Sequence, residues 1–278
     1  MEKNASLMSF YYRHEFLIRR LHSLLGLIPI GAYMMVHLTT NASILAGSEI
    51  FQKNVDTIHS LGPALPLVEW AFIFTPILFH GIIGVLICFG GKSNLSSYHY
   101  VNNYRYTAQR VTGIIAFLFL FYHIMHQHHY GEWLGPYFGM FDPHHATSSV
   151  GESFAFWWVK VIYLIGITAS IYHLANGIWT AGITWGLWVT PKAQQRADLI
   201  CFGLGIIFLG IGLAAFYAAS TVDIQQVRAE EDAGHDAEVL LKEGEDERLD
   251  PTEVPAEEDS SSAEAEEAST EEPTSEAS

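Results

Sequence analysis

Charged side chains are missing from five long intervals of this 278-residue sequence. The intervals are residues 21–48, 70–91, 111–131, 161–191 and 199–222. A helix rises about 1.5 Å per residue, so each interval is long enough to cross the roughly 30 Å hydrocarbon core of a bilayer. Because the apolar residues are collected in blocks and follow no amphipathic period, the sequence excludes a soluble globular domain. It predicts an all-α membrane protein with five transmembrane helices.

Three further absences limit the kinds of protein that this sequence can encode. The first twenty residues contain no apolar segment that ends in a small-residue cleavage site, so we expect no removable signal peptide. The two cysteines, Cys88 and Cys201, both lie in apolar intervals, where we expect them to pack as small apolar residues. They do not indicate whether the protein lies in a reducing or an oxidising compartment. No basic stripe is interleaved with aromatic residues, which excludes nucleic acid as a partner.

The acidity of the chain is confined to its last part. The formal net charge is −16, but residues 1–222 carry 11 Lys and Arg against 9 Asp and Glu, which leaves 3 against 21 for residues 223–278. This last segment has hardly any aromatic residues and cannot bury enough apolar surface to offset its chain entropy. The sequence therefore predicts a membrane domain over residues 1–222 and a disordered acidic tail over residues 223–278. The tail is either a solvated extension or a segment that recruits a basic partner.

Lys and Arg are unevenly divided among the connections between the predicted helices. They are concentrated in the N-terminal segment and in the connections 92–110 and 189–198, whereas the segment between His123 and Glu152 has none. Positive residues mark the cytoplasmic side of short membrane connections. We therefore expect a protein integral to the cytoplasmic membrane, with its N-terminus in the cytoplasm and its C-terminal tail outside.

Each of the first four predicted helices carries one histidine at depth: His37, His80, His123 and His173. An imidazole in hydrocarbon costs free energy unless its lone pair is occupied. A hydrogen bond to a neighbouring helix is one explanation. The other is haem ligation, in which two neutral imidazoles face each other across a porphyrin inside an apolar bundle. On this second explanation, the first four helices form a haem-binding bundle that holds two haem b groups.

Helix direction decides which histidines can meet. Alternate helices of an up-and-down bundle run in the same direction, so the natural pairs join the first helix to the third and the second to the fourth. His37 and His123 both lean towards the outer charged residues and are assigned to an outer haem iron. His80 and His173 then remain for an inner haem iron. Iron with two histidine ligands has no open position, so such a bundle transfers electrons.

Polar residues at the helix ends supply further candidates. Five of them at the inner end are expected to contact haem propionates, although ordinary positive-inside residues have the same distribution: Arg19, Arg20, His22, Ser23 and Arg110. A group of outer histidines is expected to lie in water at the interface, with a metal site or a proton relay as the alternative: His126, His128, His129, His144 and His145.

Several stretches between about residues 10 and 217 resemble one family. They are RRLHSLLGLIPIG with VH at 36–37, QRVTGI at 109–114, YH at 122–123, and YHLANGIWTAGITWGLWVTP from Tyr172 to Pro191. The chain resembles the dihaem cytochrome b membrane anchor of succinate dehydrogenase and fumarate reductase, in its single-subunit, five-helix type. The last stretch is the most specific, because it contains a histidine, an Asn-Gly-x-Trp segment and a Thr-Trp-Gly segment at the spacing of the family.

The resemblance implies that the four deep histidines are axial ligands in the pairs given above. It also implies two cytoplasmic partners, a flavoprotein that interconverts succinate and fumarate and an iron–sulfur subunit that exchanges electrons with the anchor. The role of this chain would then be electron transfer between the iron–sulfur subunit and a membrane quinone, menaquinone for this type. Such an enzyme belongs to both the respiratory chain and the tricarboxylic acid cycle.

Quinone chemistry needs a proton exchanger, and Glu69 at the outer end of the second helix is the candidate, with a plain interfacial carboxylate as the alternative. Two other functions remain open on the residues alone. One is the cytochrome b subunit of a formate dehydrogenase or hydrogenase. The other is a histidine-lined metal or proton transporter, which would instead bring polar residues and broken helices to one midplane site.

Overall fold

A computed structural model describes the backbone of residues 2–249 and the side chains of residues 11–237 and 239–241. Within these residues the chain is helical and has no β-strand, in agreement with the all-α prediction. The first helices are α1 (Glu2–Leu27), α2 (Pro29–Ala42), α3 (Ser48–His59), α4 (Leu65–Glu69) and α5 (Thr75–Gly90). They are followed by α6 (Val101–Gln127), α7 (Ala146–Ser153), α8 (Trp157–Thr184), α9 (Pro191–Thr221) and α10 (Ile224–Leu249).

Five helical segments of the described chain are long and apolar enough to cross a membrane, which confirms the predicted number. They are Tyr11–Ala46, Gly62–Gly90, Val101–Gln127, Trp157–Thr184 and Pro191–Thr221. The first joins most of α1 to α2, and the second joins α4 to α5. The other three are single helices, and each begins or ends close to the interval that the sequence marks as free of charge.

Prolines stand at the starts of helices in this fold. Pro29 is the first residue of α2, and the amide of Ile28 still bonds to the carbonyl of Leu24 at 2.9 Å, so the first span continues through the junction. Pro191 opens α9, where the Thr190 hydroxyl accepts a hydrogen bond from the amide of Ala193. A π-helical turn at Trp70–Phe74 separates α4 from α5, directly after Glu69.

Helix α8 packs against both α6 and α9, and α1 packs against α5. Gly166 on α8 shows how close the α6–α8 contact is, because a Cβ atom at this position would overlap the ring of Phe119. Small residues at helix crossings let membrane helices approach each other closely. Helices α6 and α8 carry two of the four deep histidines, so this contact helps to position both of them.

A hydrophobic core joins two of the spans, α6 and α8, to the short helices α3 and α7 that lie between spans. Phe51 and Val55 of α3, Val150 of α7 and Tyr163 of α8 belong to one hydrophobic cluster there, together with Phe119 of α6. All five are at most 9% exposed. Helices α3 and α7, which lie between spans, therefore form an ordered cap that packs against α6 and α8.

The prediction of a disordered tail from residue 223 is wrong for its first part. Helix α10 starts three residues after α9 ends, and the compact unit that contains the spans extends to His235. Glu231 is only 8% exposed, and its carboxylate accepts hydrogen bonds from the amides of Thr147 and Ser148 at 2.7 and 3.3 Å. Composition does not predict this ordered segment, because its order depends on one contact. The Glu231 carboxylate binds the free amides at the N-terminus of α7 and so stabilises the first part of the acidic segment. The tail beyond residue 249 lies outside the described residues.

Candidate functional site

The four deep histidines form two facing pairs in the structure. The ring centroids of His37 on α2 and His123 on α6 are 5.6 Å apart, and the ring planes are inclined by 78°. The ring centroids of His80 on α5 and His173 on α8 are 6.0 Å apart, with planes inclined by 83°. The fold therefore brings together the pairs that helix direction predicts.

Hydrogen bonds define the tautomer in one of these pairs. The Nδ1 atom of His80 lies 2.8 Å from the carbonyl oxygen of His22, and the Nδ1 atom of His173 lies 3.0 Å from the carbonyl oxygen of Gln109. A carbonyl oxygen only accepts, so Nδ1 carries the hydrogen in both rings. Their Nε2 atoms then keep the lone pair, which is the arrangement that metal-bound histidines adopt.

The His37/His123 pair is held differently. The Nδ1 atom of His123 lies 3.1 Å from the hydroxyl oxygen of Tyr163, a side-chain partner. His37 has the ring of Tyr33 beside it at a centroid distance of 5.6 Å. The Asn41 amide donates to the carbonyl of His37 at 2.8 Å and reaches the His37 Nε2 atom only at 3.5 Å, the limit of a hydrogen bond.

The predicted propionate contact His22 stacks on one of the deep histidines. The rings of His22 and His80 have centroids 4.0 Å apart and planes inclined by 9°. The Nδ1 atom of His22 lies 3.0 Å from the carbonyl oxygen of His80, which complements the bond in the opposite direction. His22 therefore joins α1 to α5 beside the His80/His173 pair.

Two other predicted propionate contacts meet at the end of α8. The Arg20 guanidinium donates to the carbonyl of Thr184 and lies 5.0 Å from the ring centroid of Trp185. The Trp185 indole N–H donates to the Ser23 hydroxyl at 3.3 Å. Arg20 and Trp185 also line a surface groove together with Phe16, Leu17, Ile183, Thr184 and Gly186.

The remaining two cations lie elsewhere. Arg19 forms an exposed ion pair with Glu15, one turn away on the same helix, at 2.7 Å. The Arg110 guanidinium lies over the ring of Tyr106 at 4.1 Å from its centroid and is packed beside Gly91. The structure therefore does not bring the five predicted propionate contacts together in one cluster.

A polar network that sequence reasoning missed supports His173. The Gln109 side chain donates to the carbonyl of His173 at 3.1 Å and accepts from the Asn176 amide at 2.7 Å. Asn176 is 5% exposed, and its oxygen accepts from Arg105, which also pairs with Asp198 at 2.7 Å. The i, i+3 spacing of His173 and Asn176 was a usable signal, because residues three apart share a helix face.

A second missed group surrounds His123. The Tyr163 hydroxyl contacts the Nδ1 atoms of both His123 and His126, and Tyr163 is 5% exposed. His126 is 2% exposed, so the expectation that it lies in water is wrong: it folds inward against the rings of Tyr122 and Tyr163. Nothing in the sequence distinguishes Tyr163 from the other tyrosines, of which the chain has 13 in all.

The other outer histidines occupy separate places. His145 bridges Asp142 and Asp232 with contacts of 3.0 and 2.9 Å. Hydrogen bonds to these two carboxylates raise the pKa of His145 above its usual value. The ring of His144 lies 6.1 Å from that of His235. No group of three or more metal-binding side chains occurs among the residues whose placement is described.

Glu69 ends α4 at the π-helical turn and faces a different histidine. Its carboxylate lies 3.6 Å from the Nε2 atom of His128. Burial, together with the neighbouring His129 and His59, lowers the pKa of His128 to about 4, so this ring is neutral at pH 7. Glu69 also interacts electrostatically with Tyr33, whose ring contacts His37.

Two comparisons with known proteins show the family of this chain. Residues 92–212 match the family described as succinate dehydrogenase/fumarate reductase transmembrane subunit. The chain is also 33% identical over 204 residues to the succinate dehydrogenase cytochrome b558 subunit of Bacillus subtilis (strain 168), which covers 73% of this chain and 96% of the relative. The chain therefore belongs to the family of transmembrane subunits of succinate dehydrogenase and fumarate reductase.

Proposed function

We propose that this chain is the membrane anchor and electron-transfer subunit of a succinate:quinone oxidoreductase and that it holds two b haems. His37 and His123 would bind one, and His80 and His173 the other. The observation that carries the proposal is the presence of two facing histidine pairs on four spanning segments. A b haem ligated by two histidines accepts and releases single electrons and offers no open position for a substrate. Family membership argues against the formate dehydrogenase, hydrogenase and transporter alternatives.

The residues present fit this cofactor in two respects. The ring centroids of the two pairs are 5.6 and 6.0 Å apart, so His37 with His123 and His80 with His173 could each hold one iron between them. In the His80/His173 pair, the carbonyls of His22 and Gln109 also fix the tautomer that leaves Nε2 available.

The two histidine pairs would lie at the two ends of the proposed electron path. The His80/His173 pair adjoins His22 and the network of Gln109 and Asn176, on the side where the positive connections converge. We propose that an iron–sulfur subunit, itself joined to a flavoprotein subunit, docks on that cytoplasmic side. Arg20 and Ser23, which meet at Trp185, remain candidates for haem propionate contacts there, as do Arg19, His22 and Arg110.

At the other end we propose that Glu69 exchanges protons with a quinone, menaquinone for this type of anchor. Its carboxylate lies 3.6 Å from the Nε2 atom of the neutral His128 ring. The adjacent π-helical turn presents the rings of Trp70 and Phe74, and Trp70 donates its indole hydrogen to the Tyr130 hydroxyl at 3.0 Å. Flat aromatic surfaces next to a proton acceptor suit a planar, weakly polar ring system.

The test is the haem content of purified protein. The wild type is expected to show b-type absorption that corresponds to two haems per chain. Single substitution of His37, His80, His123 or His173 by Ala should remove at least one haem, and added imidazole should restore part of it. The exposed His144→Ala variant is the control and should keep both. Full pigment in any of the four variants would refute the ligand assignment.

A further inference from the structure

Three side chains of α6 converge on one hydroxyl group of α8. The Tyr163 oxygen lies 3.1 Å from His123 Nδ1, 2.9 Å from His126 Nδ1 and 3.0 Å from Gln127 Nε2. Tyr163 and His126 are 5% and 2% exposed, so water does not compete for these contacts. The Tyr163 ring is fixed as well, because it packs edge-on against Phe119 and Phe154.

Donor and acceptor roles determine how His123 uses this group. A phenol accepts two hydrogen bonds and donates one, and the Gln127 amide nitrogen only donates. If the Nε2 atom of His123 holds a metal, its Nδ1 also only donates. The Tyr163 oxygen is then the acceptor for His123. The Gln127 nitrogen also lies 2.9 Å from Ser153 Oγ and 3.1 Å from His126 Nδ1, so its two hydrogens are shared among these neighbours.

Tyr163 is unlike the partners of the other pair. His80 and His173 donate to the backbone carbonyls of His22 and Gln109, which every residue at those positions would supply. His123 donates to a side chain, whose acceptor strength depends on what that chain is and on what it bonds to in turn. The two pairs therefore differ in the group that controls ligand basicity.

We propose that Tyr163 is a positioning residue for His123 and that it sets the electron affinity of the haem held by His37 and His123. The inference rests on the proposed dihaem function. An acceptor on Nδ1–H holds the ring orientation and makes the imidazole a stronger donor to iron. A stronger donor favours the oxidised metal. Removing the Tyr163 hydroxyl should therefore raise the midpoint potential of this haem alone.

The experiment is a redox titration of the purified holoprotein, followed by absorption and electron paramagnetic resonance. In Tyr163→Phe, one midpoint should move upward while the other stays in place. At a fixed ambient potential we expect the ratio of reduced to oxidised haem to rise roughly tenfold, which is about 59 mV for a one-electron couple. The low-field resonance of the same haem should move with it.

Tyr122→Phe is the matched control. Tyr122 also has a buried hydroxyl next to His126, but this hydroxyl has no hydrogen-bond partner in the described part of the chain. Its removal should leave both midpoints unchanged. Unmoved midpoints in Tyr163→Phe, equal movement of both, or an equal effect of Tyr122→Phe would each overturn the proposal.

A second variant keeps the test decisive where Tyr163→Phe loses haem or fails to fold. Replacement of Tyr163 by 3-fluorotyrosine preserves the shape and the hydroxyl but weakens the oxygen as an acceptor. It should move the same midpoint upward by a smaller amount, and an unmoved midpoint refutes the proposal. Fewer than two haems in the wild type would refute the proposed function itself, whereas two haems with unmoved midpoints would refute only the role of Tyr163.

Discussion

His22 and His80 lie ring on ring, with centroids 4.0 Å apart, and the Nδ1 atom of each reaches the backbone carbonyl of the other residue. The two contacts join α1 to α5 at a point where both helices are partly buried. His22→Ala removes the stacking and one of the two hydrogen bonds but leaves the carbonyl that orients His80. We expect a loss of about 1–2 kcal/mol in the free energy of unfolding.

Thermal melting of the solubilised holoprotein measures this loss, and haem release during the melt shows whether the His80/His173 pair weakens first. The exposed His99→Ala variant is the control and should melt like the wild type. A His22→Ala variant with wild-type melting would show that the stack contributes nothing to stability.

Asn176 links the Gln109 side chain to Arg105 and is buried. Asn176→Leu would leave the Gln109 oxygen and one Arg105 donor without partners at this position. An unsatisfied buried polar group costs about 1–3 kcal/mol, so the variant should unfold more easily and hold less haem at His173. Parallel melts and haem assays with the exposed Asn102→Leu give the comparison, and equal behaviour of the two variants would contradict the expectation.

Glu69→Gln keeps the size of the side chain but removes its ability to carry a proton. We expect quinone reduction by the assembled enzyme to slow roughly 10²-fold, in line with the loss of a positioned acid–base group. Haem content should not change. The exposed Glu132→Gln variant is the matched control. An unchanged rate and pH profile in Glu69→Gln would make Glu69 a plain interfacial carboxylate.

Glu231 caps α7 from α10, and its oxygens also accept the Ser148 hydroxyl at 2.5 Å. Glu231→Gln removes the negative charge that favours a helix N-terminus and should destabilise the α7 contact by about 1–2 kcal/mol. Hydrogen exchange at the amides of Thr147 and Ser148 should accelerate. Glu230→Gln, one residue away and exposed, should not accelerate it.

The bridge from His145 to Asp142 and Asp232 predicts a pH-dependent docking of α10. Hydrogen bonds to the two carboxylates raise the pKa of His145, so its contribution is complete below 6.5 and is lost as pH rises through the raised value. Burial acts to raise the pKa of Asp142, but hydrogen bonds from His145 and from the His144 amide lower it overall. The contribution of Asp142 is therefore complete above pH 3.8 and is lost as pH falls through the lowered value. Arg228, which pairs with Glu152 nearby, acts in the opposite sense on His145.

Docking should therefore be strongest between pH 3.8 and 6.5 and weaken above neutrality. Hydrogen exchange of residues 224–235, corrected for the intrinsic rate at each pH, measures it. In His145→Gln the protection should lose this dependence. A flat profile in the wild type would show that the bridge does not hold α10.

The spans and the histidine pairs were predictable because they depend on features that a sequence displays directly. Block hydropathy decides which segments cross a membrane, and the alternation of helix direction decides that His37 can meet His123 and His80 can meet His173. Neither argument needs the neighbours of a side chain.

The parts that sequence reasoning missed depend on contacts between residues far apart in the chain. Tyr163 is 40 positions from His123, and Glu231 is 83 positions from Ser148. Composition correctly described the last segment as acidic, but only the fold shows that one of its carboxylates meets the free amides of a short helix. His126 was placed in water for the same reason, because its burial is produced by α8 and the 3-10 and loop segments that follow α6.

The carbonyl oxygens that orient His80 and His173 belong to the main chain of His22 and Gln109. Substitution at those two positions changes a side chain but leaves the acceptor where it was. Substitutions at positions 22 and 109 therefore have little effect on the orientation of these two rings. A substitution at position 163, in contrast, can remove the hydrogen-bond partner of His123. Among related chains, the midpoint potential of the haem at His37 and His123 should therefore vary more than that of the haem at His80 and His173.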